Sequence, residues 1–267
     1  GGLGGVGLAL AQHLASSVKA RVVLVSRTAM PPRAQWTAML ADASTPTAVS
    51  RRLRALLAIE QGGGEVLVVR ADVTDAAALE AAIVQARTRF GDLHGVLHTA
   101  GVLDDGVIQL KEHDAASRVF APKVQGTLAL EAALARAQKA PLDFMVLFSS
   151  ISAFAGLAGQ VDYAAANAFL DAYAQDRVAR DGTWTVAIDW SQWQEVGMAA
   201  EAVRCVGTFD DGRELWIADA GHLARGADAA GADADLDDVC TGEDQRLGDI
   251  GGDDVARHDC RLRIGLA

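Results

Sequence analysis

Residues 1–7 read Gly1-Gly2-Leu3-Gly4-Gly5-Val6-Gly7, and the next apolar run is RVVLVS, Arg21–Ser26. Gly2, Gly4 and Gly7 fit G-x-G-x-x-G, and Gly1, Gly5 and Gly7 fit G-x-x-x-G-x-G. Glycines at this spacing bring backbone close to a pyrophosphate and aim the N–H groups of a helix start at it. Gly5–Val18 carries Val6, Leu10 and Leu14 on one helical face. RVVLVS is continuous rather than alternating, the pattern of a strand buried on both faces. A glycine-rich turn of this kind also occurs for structural reasons alone, so the loop by itself leaves both readings open.

Working outward, helix and strand patterns alternate to about residue 190. Leu53–Gln61 reads as a helix and Glu65–Arg70 (EVLVVR) as a strand. Thr74 is the expected N-cap of a helix over Asp75–Phe90. His94–His98 is a strand, Lys111–Lys139 a helical stretch, Leu142–Phe148 a strand, Val161–Arg180 a helix and Trp184–Asp189 a strand. This alternation predicts an α/β fold, a doubly wound parallel sheet of the Rossmann type. Residues 27–50 make a connection too long for a simple crossover, with a short helix expected around Arg33–Ala41 on the surface. A strand should feed the glycine loop, yet the sequence starts at the loop. The expected sheet therefore lacks its first strand, and the chain reads as a fragment of a longer polypeptide.

The charge divides along the chain. Residues 1–200 hold 19 acidic and 17 basic side chains, whereas 201–267 hold 16 acidic residues and 7 arginines with no lysine. Asp, Gly and Ala dominate the second stretch, no period of 2 or 3.6 is sustained, and mostly disordered chain is expected there. This gives a first domain over 1–199 and an acidic tail over 200–267. A shifted reading frame in GC-rich coding sequence produces such a composition, as does a divergent linker-like tail. Cys205, Cys240 and Cys260, an odd number at wide spacing, form neither a metal nor a disulfide pattern. The overall formal charge of −11 argues against a nucleic-acid partner. No apolar run approaches the roughly 18 residues of a membrane span, and no secretory signal opens the sequence. A cytoplasmic protein is expected.

Ser26-Arg27 ends the first strand, where an acidic residue for a ribose 2′-hydroxyl is usual. Arginine there suits the 2′-phosphate of NADP. Asp72, just after the second strand, can reach an adenine amino group or serve as a turn residue. Ser149-Ser150 closes the strand ending in LDFMVLF, Tyr163 follows thirteen residues after Ser150, and Asn167 shares its helix face. A strand-end serine and a helical tyrosine can converge on one carbonyl. Tyrosine titrates near ~10, so as a general acid it needs a nearby cation, for which Lys123 is the candidate. Each residue alone has an ordinary structural use; the joint spacing together with the glycine loop favours chemistry.

GGLGGVG (1–7), ADVTD (71–75), HTAGVLDDG (98–106), FAPKVQGT (120–127), LFSSISAFAGLAGQVDYAAANAFLDA (147–172) and IDWSQWQEVGMA (188–199) resemble the ketoreductase domains of modular type I polyketide synthases. These form a branch of the short-chain dehydrogenase/reductase superfamily. The resemblance covers about residues 1–199. It implies that Tyr163 donates the proton, Ser150 hydrogen-bonds the ketone oxygen, Lys123 acts on the tyrosine from another helix, and Asn167 orients the site and relays protons. Most of the superfamily has lysine four residues after the tyrosine; asparagine there, with lysine displaced to 123, is typical of the polyketide branch.

The resemblance further implies NADPH held by Gly2, Gly4, Gly5, Gly7, Ser26, Arg27, Asp72, Val73, Ala100 and Gly101. Leu103-Asp104-Asp105 matches the LDD fingerprint of ketoreductases that yield D-configured alcohols, and the tryptophan of the opposite class is missing from 154–162. Asp104 and Asp105 also read as ordinary loop acids. The implied partners are a β-ketoacyl substrate carried on an acyl carrier protein and the other domains of the same synthase. No metal is implied. A catalytically silent structural domain and a stand-alone reductase of a free ketone are the competing readings. A methyltransferase would share only the glycine loop.

Overall fold

The continuous apolar runs become parallel strands. In a computed structural model, residues 1–191, 193, 197–198, 203–208 and 214–218 are described. Strand β1 (Arg21–Ser26) pairs in parallel with β2 (Glu65–Arg70), Val23 opposite Leu67. Strands β3 (Gly95–His98), β4 (Phe144–Ser150) and β5 (Thr185–Trp190) form a second parallel sheet, with Val96 opposite Met145 and Met145 opposite Thr185.

Helices cover both faces. On one side, Leu8, Ala11 and Leu14 of α1 (Gly5–Val18) and Leu53, Leu56 and Ile59 of α3 (Thr47–Gln61) pack on Val22 and Leu24. On the other, Leu79 and Ile83 of α4 (Ala76–Phe90), Leu134 of α6 (Gly126–Ala137) and Leu170 of α8 (Val161–Asp181) pack on Val23, Met145 and Leu147. Neighbouring residues of β1 thus serve opposite cores, which is why RVVLVS shows no alternation. Fully buried leucines such as Leu53 and Leu56 contribute about 1.5–3 kcal/mol each.

The expected elements are present, with ends shifted by a residue or two, and four readings are corrected. Asp75, not Thr74, caps α4: its Oδ1 accepts from the amides of Ala77 and Ala78 at 3.0 Å, while the Thr74 hydroxyl donates to Asp72. The third helix starts at Thr47 rather than Leu53, so part of the polar connection is helical. The long connection holds a 3₁₀ turn (Arg33–Gln35) and α2 (Trp36–Ala41), and it is not wholly superficial: Trp36 is buried and its Nε1 donates to Pro31 O at 2.8 Å.

The stretch 111–139 is helical over 113–137 but not uniformly α. It comprises α5 (His113–Phe120), a π-turn over Ala121–Gln125 and α6, and Lys111 precedes it. The short α7 (Ser152–Ala155) separates β4 from α8, which stops at Gly182, where φ of 72° suits a residue without Cβ.

No strand among the described residues hydrogen-bonds the facing edges of β1 and β3. Residues 1–2 enter between their carboxyl ends, Gly2 N donating to Val25 O at 3.0 Å. Within the acidic stretch, β6 (Val203–Thr208) and β7 (Glu214–Ala218) form an antiparallel pair. The rest of that stretch, for which disorder is expected, lies outside the described residues.

Candidate active site

A cavity of about 770 Å³ opens between the two sheets. Its inner wall is apolar, with Val23, Ile83, Val96 and Leu134. Its mouth lies at the carboxyl ends of the strands, where open α/β sheets bind ligands. The glycine loop forms one rim. A Cβ on Gly2 would stand 2.8 Å from Val25 N, and one on Gly7 would stand 2.6 Å from Gly1 O, so close backbone approach demands glycine at both places. Helix α1 starts at Gly5 with no acidic residue in its first turn, leaving its N–H groups free to meet an anion. This cradle fits the pyrophosphate of a dinucleotide.

All ten residues expected to hold the cofactor line this one cavity: Gly2, Gly4, Gly5, Gly7, Ser26, Arg27, Asp72, Val73, Ala100 and Gly101. Asp72 is at once a turn residue and a wall residue. Its Oδ1 accepts from Thr74 N at 2.9 Å and from Thr74 Oγ1 at 2.8 Å, and these bonds hold its carboxyl below the usual range. Sequence reasoning missed Arg51 and Arg52 of α3 and Arg118 of α5, which line the same cavity. Arg52 Nε donates to Leu3 O at 3.4 Å. The arginine pair in the first turns of a helix was the available signal.

The second group of residues gathers at the end of β4, beside the cavity rather than in its wall. Ser150 is the last residue of β4, and its Oγ accepts from Ser152 N at 3.2 Å. Asn167, fully buried, lies one turn along α8 from Tyr163, and its Nδ2 donates to Tyr163 O at 2.8 Å. Asn167 Oδ1 is buried with no hydrogen-bond partner among the described residues. Ser149 Oγ donates to Asn167 O at 3.3 Å and fixes α8 to the strand.

Lys123 is brought to this group by the π-turn. Pro122 has no N–H to give a regular helix, and the widened turn swings the next side chain inward. The side chain is buried, its Nζ donates to Phe148 O at 2.6 Å, and the ammonium lies 5.5 Å from the centre of the Tyr163 ring. Burial lowers its pKa to about 8, an effect that Asp171 partly opposes. Burial likewise pushes the Tyr163 phenol above its ordinary value, against the polar neighbours Asn167 and Ser150.

Gly101 connects the two groups. It lines the cavity, and a Cβ there would meet Lys123 Cε at 3.3 Å. His98, another residue to which the sequence reading gave no role, is buried. Its Nε2 donates to Pro122 O at 3.1 Å, and burial, with the Lys123 charge adding to it, lowers its pKa to about 3. It therefore supports the π-turn as a neutral imidazole.

Leu103, Asp104 and Asp105 lie on the loop after β3. Asp105 Oδ2 accepts from Gln160 Nε2 at 2.9 Å, Asp104 Oδ2 meets Arg118 at 2.8 Å, and Gly106 N donates to Gly159 O at 2.9 Å. Both acids are thus engaged, and the loop is tied to the segment leading into Tyr163.

A family model described as "KR domain" matches residues 1–195. The chain belongs to the KR domain family. The 6-methylsalicylic acid synthase of Aspergillus terreus is 41% identical over 201 residues, which are 75% of this chain and 11% of that protein. A solved ketoreductase domain from the bacillaene assembly line superposes with a TM-score of 0.62 at 32% identity, covering 74% of this chain and 44% of that one. A structure of A-type ketoreductases from a modular polyketide synthase gives 0.60 at 33% identity, covering 74% and 37%.

This KR domain thus has its relatives among the ketoreductase domains of polyketide synthases, within the short-chain dehydrogenase/reductase superfamily, and is an oxidoreductase. The chain spans about a tenth of the length of the curated relatives it matches. The KR fold implies a nicotinamide cofactor, and the glycine cradle fits one. Among the described residues no helix is long and apolar enough to cross a membrane.

Proposed function

We propose that this KR domain uses NADPH to reduce a β-ketoacyl thioester, carried on an acyl carrier protein, to the D-configured β-hydroxyacyl thioester. The buried Lys123 ammonium beside the Tyr163 ring carries the reading, because a phenol serves as a proton donor when a cation stabilises the phenolate it leaves. When bound, the reduced nicotinamide supplies the hydride that the carbonyl carbon receives. Tyr163 gives its proton to the carbonyl oxygen, and Ser150 hydrogen-bonds that oxygen and stabilises the negative charge gathering there. The raised pKa of Tyr163 keeps it protonated until the oxygen becomes the stronger base. Asn167, with its unpartnered buried oxygen, relays the proton that restores the phenol.

Arg27 and Ser26 at the end of β1, with Arg51 lining the same cavity, support NADPH over NADH, because guanidinium groups pair with a 2′-phosphate. Leu103-Asp104-Asp105, held against the segment before Tyr163, supports the D configuration. Carriage on an acyl carrier protein, with other synthase domains as partners of a catalytic unit over 1–199, is supported by relatives that are large synthases.

The test follows NADPH oxidation by the chain with a β-ketoacyl thioester, alongside Tyr163→Phe, and resolves the enantiomers of the alcohol. Turnover that falls by about 100–10,000-fold in the variant is expected. Turnover indifferent to the phenol sinks the mechanism, an L product sinks the stereochemical assignment, and equal use of NADH sinks the role given to Arg27.

A further inference from the structure

Lys111 takes no part in the chemistry above, yet its side chain is largely withdrawn from solvent. Its side chain is 8% exposed and its Nζ lies 2.8 Å from Oδ2 of Asp162, whose side chain is 3% exposed. The same ammonium donates to the backbone oxygen of Asp104. The other carboxylate oxygen of Asp162 accepts from Tyr163 N at 2.9 Å. One buried cation therefore joins the backbone of the 103–105 loop to a carboxylate that holds the amide of Tyr163. Two charges withdrawn from water are costly, and apolar side chains would glue loop to helix at least as well. What an ion pair adds is a defined placement: the ammonium stands against the carboxylate charge and donates to the carbonyl at the same time only when loop and helix stand in one register.

We propose that Lys111 and Asp162 are a positioning pair, setting the register of the Leu103–Asp105 loop against Tyr163 and thereby the face of the carbonyl that meets the proton donor. The proposal rests on the reading of that loop as the stereochemical determinant. Two further ties, Asp105 to Gln160 and Gly106 to Gly159, restrain the same loop alongside the pair.

The test compares the unmodified chain with Asp162→Asn, Lys111→Met and Lys111→Arg by amide hydrogen exchange and by the enantiomer ratio of the product, with kcat and KM measured separately. Asp162→Asn is expected to speed exchange across residues 103–106, and Lys111→Met to speed it at Tyr163 and the first turn of α8. Both lower the D:L ratio by about tenfold while KM for NADPH holds, and Lys111→Arg restores most of the ratio. Faster exchange confined to the substituted residue's own segment overturns the proposal, as does an unchanged ratio in a variant whose loop has loosened. If Lys111→Met does not fold, Asp162→Asn, which preserves shape, carries the same comparison against Lys111→Arg. Absent turnover or an L product from the unmodified chain counts against the functional reading, and the exchange measurement then decides the pair alone.

Discussion

The surroundings of Lys111 and those of Lys123 place two lysine ammonium groups out of water in different ways. Lys111 meets the Asp162 carboxylate at 2.8 Å, so its charge is compensated where it is buried. Lys123 meets a carbonyl, Phe148 O at 2.6 Å, and forms no ion pair among the described residues. Its pKa falls to about 8 because burial opposes its charge more than Asp171 supports it. A compensated cation is scaffold, whose removal leaves a carboxylate stranded. A cation faced by a dipole is poised near its titration point, which is what the mechanism proposed for Tyr163 asks of it. Burial alone does not mark a functional lysine; the partner decides.

The contrast breaks most directly at Lys111. Lys111→Met leaves Asp162 charged and buried, and destabilisation of about 3–5 kcal/mol in urea melts is expected, largely recovered in Lys111→Met/Asp162→Leu. A loss below about 1 kcal/mol would make the pair no different from a surface contact. Lys123→Met should do the reverse: turnover falls about 100–1,000-fold with the fold intact, because Tyr163 loses its cation. A variant that unfolds with little effect on residual rate would put Lys123 in the scaffold class.

The third expectation is one of sign. Lys123 titrates at about 8 in the folded chain against an ordinary 10.5, so between these values the unfolded chain binds the extra proton and stability gains as pH rises. The stability advantage of Lys123→Met over the unmodified chain is therefore fully present below about 8 and shrinks by ~3 kcal/mol towards 10.5. A difference that stays flat across that window contradicts the unpaired assignment. The smallest effect belongs to Arg118–Asp104, whose side chains are 63% and 33% exposed: Arg118→Ala should cost about 0–1 kcal/mol, and a larger loss would mean that solvent screens this loop less than its exposure implies.

Much of this was legible in the primary structure because it is local. Unbroken runs such as Val22–Leu24 announce strands covered on both faces, and the glycine spacing announces a close backbone approach to an anion. The ten residues expected to hold the cofactor line one cavity because they fall on the glycine loop or near the carboxyl ends of successive strands, places that the strand boundaries themselves mark. The corrections came where two neighbours compete for one job or where a widened turn sits inside a helix. Thr74 and Asp75 can both cap, and the choice fell to Asp75 because the Thr74 hydroxyl is taken by Asp72. The π-turn at Ala121–Gln125 looked like continuous helix because its flanks have ordinary helical composition.

What the sequence determined by itself is therefore the order of elements and the parallel doubly wound class, since each depends on residues close together in the chain. Only the tertiary structure decided that Lys123 reaches Tyr163 without a carboxylate, that Lys111 finds one in Asp162, and that Gly101 leaves room between cofactor cavity and lysine. These depend on which groups burial removes from water together. Desolvation is set by segments distant in sequence, so no local pattern records it.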